Sequence, residues 1–248
     1  MQAELSGQQG AELTGAARAD YVRQLFARIV PRYDLFNTLS TFGQDRRWRR
    51  LLVRLAALPS HGHALDVATG TGAVAFELAT QRPTAQVVGT DFCEPMIAAA
   101  RARAAAAAQD NLTFELGDVR DLPYPDRSFD CVTVSFGVRN FSDLPRSLAE
   151  MRRVLKPGGR FVCLELTHVR SPLIRLGFNV YFYKLAPWLG ALLSGEYAAY
   201  SYLPHSLTHF PDAAALAVML DEAGFQRVRY RLLNFGAIAI HMGIRAER

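Results

Sequence analysis

A doubly wound α/β sheet is the fold this sequence predicts, and three observations predict it. From His63 to Leu166, apolar strand patterns alternate with helical ones. The first strand, in "LDVATGTG" (Leu65–Gly72), runs into a glycine pair that opens a helix. Polar residues recur where the strands end, the edge at which open α/β sheets bind ligands.

Residues 1–17 are polar, with Gly10 and Gly15, and are expected to form a loose tail. "DYVRQLFARIV" from Asp20 has apolar residues at helical spacing and stops before Pro31. The aromatic-rich "PRYDLFNTLSTFGQDRRWRR" leads into a helix ending near Leu58, and Pro59 to His63 turn the chain. "HALDVA" reads as a strand and "AVAFELAT" as a helix. "QVVGTD" is the next strand, and "EPMIAAARARAAAAA" a helix of high intrinsic propensity. "NLTFEL" and "FDCVTVSF" add two strands. "LPRSLAEMRRVL" is a helix that Lys156-Pro157-Gly158-Gly159 should stop, and "RFVCLEL" is the fifth strand. Residues 168–211 break the rhythm with an aromatic, helical stretch jointed by prolines, which reads as an insertion covering something. "DAAALAVMLDEAGF" is a helix with a glycine stop. "QRVRYRLLNFGAIAIHMGIR" closes the chain as two strands turning near Asn234 to Gly236. The expected organisation is one domain over 18–248, with an N-terminal helical lid at 18–58 and a substrate-covering insertion at 168–211.

Half of the 248 residues are hydrophobic and 21% are charged, which supports a sizeable core and excludes a disordered chain. The net charge of +5 is carried almost wholly by arginine and reads as a compositional habit rather than as a polyanion partner. Cys93, Cys131 and Cys163 lack C-x-x-C spacing and sit in apolar contexts, so buried reduced thiols and a cytoplasmic location are expected, with no metal site. No run of 18 apolar residues exists to span a membrane.

The glycine turn must serve a nucleotide, and two candidates compete. Gly70, Gly72 and Ala75 fit the G-x-G-x-x-A dinucleotide pattern, with Asp91 near the ~20-residue spacing of a ribose-binding acid. Asp66, however, lies within the first strand, where it would repel a pyrophosphate but not a zwitterion bearing a sulfonium and an amino group. Thr71 lies between the two glycines. Asp91 can accept from both ribose hydroxyls. Asp118 and the Val119 N–H follow the third strand, where an adenine would be read, and Ser135 ends the fourth. As an ordered set these residues point to S-adenosylmethionine. The alternatives are local: a turn cap for Asp66, an Asx turn for Asp118 and a solvated strand end for Ser135.

With these residues in view, the chain resembles the UbiE/MenG C-methyltransferases of ubiquinone and menaquinone biosynthesis. "RYDLFNTLSTFGQDRRW" is similar to one family signature through Tyr33, Asp34, Asn37, Gly43 and Trp48. "RVLKPGGRFVCLELT" is similar to a second through Arg153, Lys156, Gly158, Gly159 and Glu165, and "SFGVRNF" matches the block S-F-G-x-R-N. The resemblance covers residues 20–245. It departs at Phe36, Thr41, Asp45, Ala73 and Thr167, where the family more often has Met, Ser, His, an acid and Ser; no catalytic role is expected of Asp45.

The resemblance implies a class I methyltransferase with a mostly parallel seven-stranded sheet and an antiparallel last strand. It also implies methyl transfer from S-adenosylmethionine to a prenylated demethyl-quinol. Demethylmenaquinol is the first acceptor considered; a ubiquinone-pathway benzoquinol, RNA or another small molecule are the alternatives. Arg139 and Asn140 are the candidates for favouring the phenolate, with a structural ion pair as the lesser alternative for Arg139. Tyr33, with Asp34, is expected to close over the cofactor. Phe178, Tyr181, Phe182, Tyr183, Trp188, Leu192 and Leu193 are expected to supply a pocket for a ring and a lipid tail, some of them completing the core instead. The run Arg46, Arg47, Trp48, Arg49, Arg50 could place phosphate contacts beside a stacking ring, but a solvated helix face is the simpler reading and no nucleic acid is expected. Peripheral membrane contact and a homodimer are left open.

Overall fold

The computed structural model describes residues 6–247. Its seven strands are β1 (His63–Val67), β2 (Gln86–Asp91), β3 (Leu112–Leu116), β4 (Phe129–Ser135), β5 (Leu155–Leu166), β6 (Phe225–Leu233) and β7 (Ile238–Arg245). They form one sheet in the order β3-β2-β1-β4-β5-β7-β6. The first five are parallel, and β7 runs antiparallel to both β5 and β6. The chain steps outward from β1 through β2 to β3, then returns to lay β4 on the other side of β1. That reversal opens a crevice at the carboxyl ends of β1 and β4.

Central strands buried on both faces read as near-continuous apolar runs, and β1 is buried along four of its five residues. On one face pack α4 (Gln44–Ala56), α5 (Ala73–Gln81) and α6 (Glu94–Ala106), through side chains such as Trp48, Leu52, Leu78 and Ile97. On the other lie α7 (Leu144–Val154) and α11 (Ala213–Glu222), through Leu148, Met151, Leu216 and Leu220. A third cluster joins α2 (Gly15–Ile29), α3 (Tyr33–Ser40) and α10 (Tyr197–Thr208) through Leu25, Ile29, Phe36, Tyr200 and Tyr202. This helical cap overhangs the crevice. The expected lid at 18–58 therefore divides: α2 and α3 belong to the cap, whereas α4 is sheet core.

Two expectations are corrected. Within the expected loose tail, Gly7–Glu12 forms α1, started by a reciprocal capping box between Ser6 and Gln9. It lies against α10 so closely that a Cβ at Gly7 would come within 2.4 Å of the Tyr202 amide nitrogen. The remainder of that tail, residues 1–5, lies outside the described residues. Nor is α7 stopped by its Pro-Gly-Gly. It ends at Val154, and Leu155 is already extended and paired with Phe129. Lys156–Gly159 then forms an irregularity within β5, after which Arg160 pairs with Cys131. The helix can end without glycine because the Arg245 guanidinium and the Ser128 amide satisfy its last carbonyls.

The insertion consists of α8 (Pro172–Val180), a π-helical turn at Tyr181–Leu185, α9 (Ala186–Ser194) and α10. No residue of α8 is buried.

Candidate functional site

Two cavities lie between the cap and the sheet edge. The first is lined from below by Gly70, Asp91, Asp118, Val119, Ser135 and Asn140, and from the cap by Val22, Phe26 and Tyr33. Its floor is the turn after β1. Gly70 (φ +56°) and Gly72 (φ +85°) adopt left-handed backbone, and a Cβ on Gly72 would meet the Phe114 ring at 2.4 Å. Asp91 ties this turn to the end of β2. Its Oδ2 accepts from the Gly70 amide at 2.9 Å and its Oδ1 from the Cys93 amide at 3.0 Å. Burial pushes the Asp91 carboxyl up while those amides pull it back. Two of its four acceptor positions stay open.

The other predicted cofactor residues divide. Ser135 lines the cavity with its hydroxyl buried and unpartnered among the described residues. Asp118 lines it too, but the Nε, Nη2 and amide of Arg120 occupy its carboxylate, with Nη2 at 2.6 Å, and hold its pKa down. An adenine amino group would have to share it. Asp66, Thr71 and Gly72 do not line the cavity; they build the turn beneath it. Asp66 is buried, and both its oxygens accept hydroxyls at 2.6 Å, from Thr133 and Thr69. Thr71 donates to Asp34 at 2.7 Å, clasping α3 of the cap to the turn.

Burial lifts the Asp66 carboxyl from its ordinary 3.8 to about 6. A raised folded pKa adds stability below the unfolded value and loses it as pH rises through the folded one. Wild-type stability should therefore fall between about pH 4 and 6, by up to about 3 kcal/mol. The near-isosteric Asp66→Asn variant should flatten that slope in thermal melts across the window. An unchanged slope would mean that another group titrates there.

The second and larger cavity is walled by aromatic side chains, among them Phe36, Trp48, Phe178, Tyr181 and Phe182. Its polar members include Asn37, Asp45, Arg49 and Arg139. Tyr33 and Phe136 line both cavities and form the wall between them. Burial raises the Tyr33 phenol above its ordinary value. Phe136 holds a left-handed φ of +57°, unusual for a bulky residue. Its amide donates to the Leu164 carbonyl at 2.8 Å, and its carbonyl accepts from Arg139 Nη1 at 2.8 Å.

Arg139 is buried and ion-paired: Nη1 meets Glu165 Oε1 at 2.6 Å and Nε donates to Ser206 at 3.1 Å. Arg139 and Asn140, expected to work together, open onto different cavities. Asn140 belongs to the first, where its Oδ1 accepts from Tyr202 at 3.1 Å. Sequence reasoning also set Asp45 aside, yet it is buried in the second cavity wall. It accepts from Arg49 at 2.7 Å and from Thr41 at 3.2 Å. The (i, i+4) Asp-Arg spacing within "DRRWRR" was the available signal. Trp48 of that run is buried, so it offers no open face for a base to stack on. Of the insertion residues expected to form a pocket, Phe178, Tyr181 and Phe182 do so. Leu193 packs into the cap core, Trp188 and Leu192 point to solvent, and Tyr183 lines neither cavity. Among the described residues no three His, Cys, Asp or Glu side chains converge as a metal site.

The family model of the ubiE/COQ5 methyltransferases matches residues 14–245. The chain belongs to the ubiE/COQ5 methyltransferase family. A demethylmenaquinone methyltransferase of Thermus thermophilus is 48% identical over 89% of this chain and 100% of its own length. A demethylmenaquinone methyltransferase of Deinococcus radiodurans is 48% identical over 90% of this chain and 91% of its own. The crystal structure of a SAM-dependent methyltransferase from Aquifex aeolicus shares the fold, with a TM-score of 0.55 at 17% identity over 78% of this chain and 87% of that one. The protein is thus a methyltransferase with the fold of that enzyme.

In this methyltransferase the Thr71–Asp34 bond is the direct clasp between glycine turn and cap. Thr71→Val keeps the shape and deletes the donor. It should weaken donor affinity about fivefold, the worth of one hydrogen bond, and speed proteolysis within α3. Calorimetry and limited digestion check both; unchanged values would show that the clasp contributes nothing.

Proposed function

We propose that the enzyme methylates a ring carbon of a prenylated demethylquinol, with demethylmenaquinol as acceptor. The observation that carries this reading is the pair of cavities meeting at Tyr33 and Phe136: one set on the glycine turn and carrying Asp91, Asp118, Ser135 and Asn140 in its wall, the other larger and aromatic. The names of the 48%-identical relatives support the choice of menaquinone precursor.

The first cavity suits the donor. Asp91 has free acceptor positions for ribose hydroxyls, and the unpartnered Ser135 hydroxyl gains a partner when the cavity fills. The Val119 amide and Asp118 stand at the adenine end, and Asn140 borders the reacting end. When bound, S-adenosylmethionine supplies a methyl group on a good leaving group. The protein's task is then alignment and water exclusion at the shared wall, where Tyr33 and Phe136 hold the acceptor ring.

A hydroquinol carbon becomes nucleophilic when a ring hydroxyl ionises. Arg139 lines the acceptor cavity with Nη2 unengaged among the described residues, so an N–H can stabilise the forming phenolate. Glu165, Ser206 and the Phe136 carbonyl fix its plane. Incubation with labelled S-adenosylmethionine and demethylmenaquinol should yield labelled menaquinol, identified by mass. A ubiquinone-pathway benzoquinol tested in parallel should be the poorer acceptor. Absence of quinol-dependent label would overturn the reading.

A further inference from the structure

The cap carries an apolar surface with nothing packed on it. In α8, Leu173, Leu176 and Val180 recur at i, i+3, i+7 and are 80%, 65% and 45% exposed. Leu185, Trp188 and Leu192 repeat that spacing along the π turn and α9, at 57%, 67% and 84%. Leu35, Leu39 and Phe42, running from α3 into the turn beyond it, form a third stripe, and α3 packs beside α9. Amphipathic helices normally turn such stripes inward; here three neighbouring ones face outward. Apolar side chains on an ordinary surface are scattered singly; here nine of them recur along three neighbouring segments.

We propose that this face seats the enzyme on an anionic lipid bilayer and opens the acceptor cavity toward it. Charge is the first argument. From Leu166 to Gly195 there is no Asp or Glu, while Arg170, Arg175 and Lys184 are present and exposed. The next acid, Glu196, is paired with Arg28. Arg46 and Arg47, just after Phe42, are exposed as well. An apolar face rimmed by cations, with a tryptophan among its exposed residues, fits a headgroup interface better than a second copy carrying the same positive rim. Continuity is the second argument. Phe42 is 80% exposed yet also lines the acceptor cavity, beside Tyr181 at 6.1 Å between ring centroids. An apolar path therefore leads from the patch to the wall shared by Tyr33 and Phe136. This deepens the quinol reading and rests on it for the path's occupant: the ring enters while the prenyl tail trails into the lipid.

The test uses the full chain and vesicles free of quinol. Wild type should float with phosphatidylcholine–phosphatidylglycerol vesicles, bind pure phosphatidylcholine more weakly, and detach as salt rises. Trp188 emission should shift to shorter wavelength, and Trp188→Phe should remove the shift, since Trp48 is already buried. The double variant Leu176→Glu, Leu192→Glu should lose at least about tenfold in vesicle affinity. Arg175→Glu and Lys184→Glu should each lose about fivefold or more and flatten the salt dependence. These side chains line neither cavity, so turnover on a short-chain quinol in solution should match wild type while turnover on vesicle-borne quinol falls. Wild type remaining in the aqueous phase overturns the proposal, as do glutamate variants that bind like wild type. A concentration-dependent dimer abolished by the same glutamates would assign the face to a second copy and overturn it too. Lipid binding without methylation of either quinol would leave this proposal standing and sink the quinol reading.

Discussion

Arg139→Ala is expected to cost about 3–5 kcal/mol of folding stability, because it strands a buried carboxylate. Glu165 is 0% exposed, and although the Arg139 and Leu166 amides still donate to it, its countercharge would be gone. A melt of that variant alone cannot distinguish support from catalysis. The paired change Arg139→Gln with Glu165→Gln removes both charges and should fold. It should nevertheless turn over roughly 10²–10³-fold more slowly, the cost of one preorganised donor at a developing oxyanion. Donor affinity should change little, since Arg139 lies outside the donor cavity. The lost rate should return partly at alkaline pH, where the phenol ionises unaided. Single-turnover rates against pH on the folded variant decide the matter. Near-normal turnover with no alkaline rise would leave Arg139 a structural ion pair only.

Asp91→Asn should weaken donor binding by about 10²-fold. The carboxylate accepts two backbone amides and, in the proposed reading, would accept ribose hydroxyls as well; charge-assisted hydrogen bonds are worth about 1.5–3 kcal/mol each. An asparagine must turn its own NH₂ toward one of those N–H groups, so the glycine turn loses an anchor as well. The acceptor KM should barely move, because Asp91 lines only the first cavity. Acidification should weaken wild-type donor binding through protonation of the same group, whose carboxyl burial already lifts. Calorimetry of donor binding against pH measures both, and an unaltered affinity in Asp91→Asn would remove Asp91 from the site.

The strand order's consequences were legible because every parallel strand ends at the same edge. Gly70, Asp91, Asp118 and Ser135 follow from that alone, and all four line the first cavity. What a strand end cannot reveal is which way its last side chains face or what fills them first. For Asp66, the sequence could not show that Thr69, three residues on, and Thr133, near it only in the fold, already engage both its oxygens. Asp118 was judged correctly for place but not for occupancy, since Arg120 two residues on claims it. Neighbours in sequence mislead in the same way: Arg139 and Asn140 sit on one short helical turn, which aims adjacent side chains about a third of a turn apart. The loose reading of the N-terminus failed because its glycines permit close helix contact as readily as they permit disorder. The outward stripes of α8 and α9 have the spacing of a buried helix, and periodicity alone does not say what covers them.

The wall formed by Tyr33 and Phe136 has a thermodynamic consequence. A ligand that settles those rings on one side has settled them for the other, so part of the ordering entropy is spent only once. If donor and acceptor occupy the two cavities as proposed, each should tighten binding of the other, and linkage requires the factor to be identical in both directions. Two molecules that meet only at a methyl group would in this way sense each other before any bond is broken.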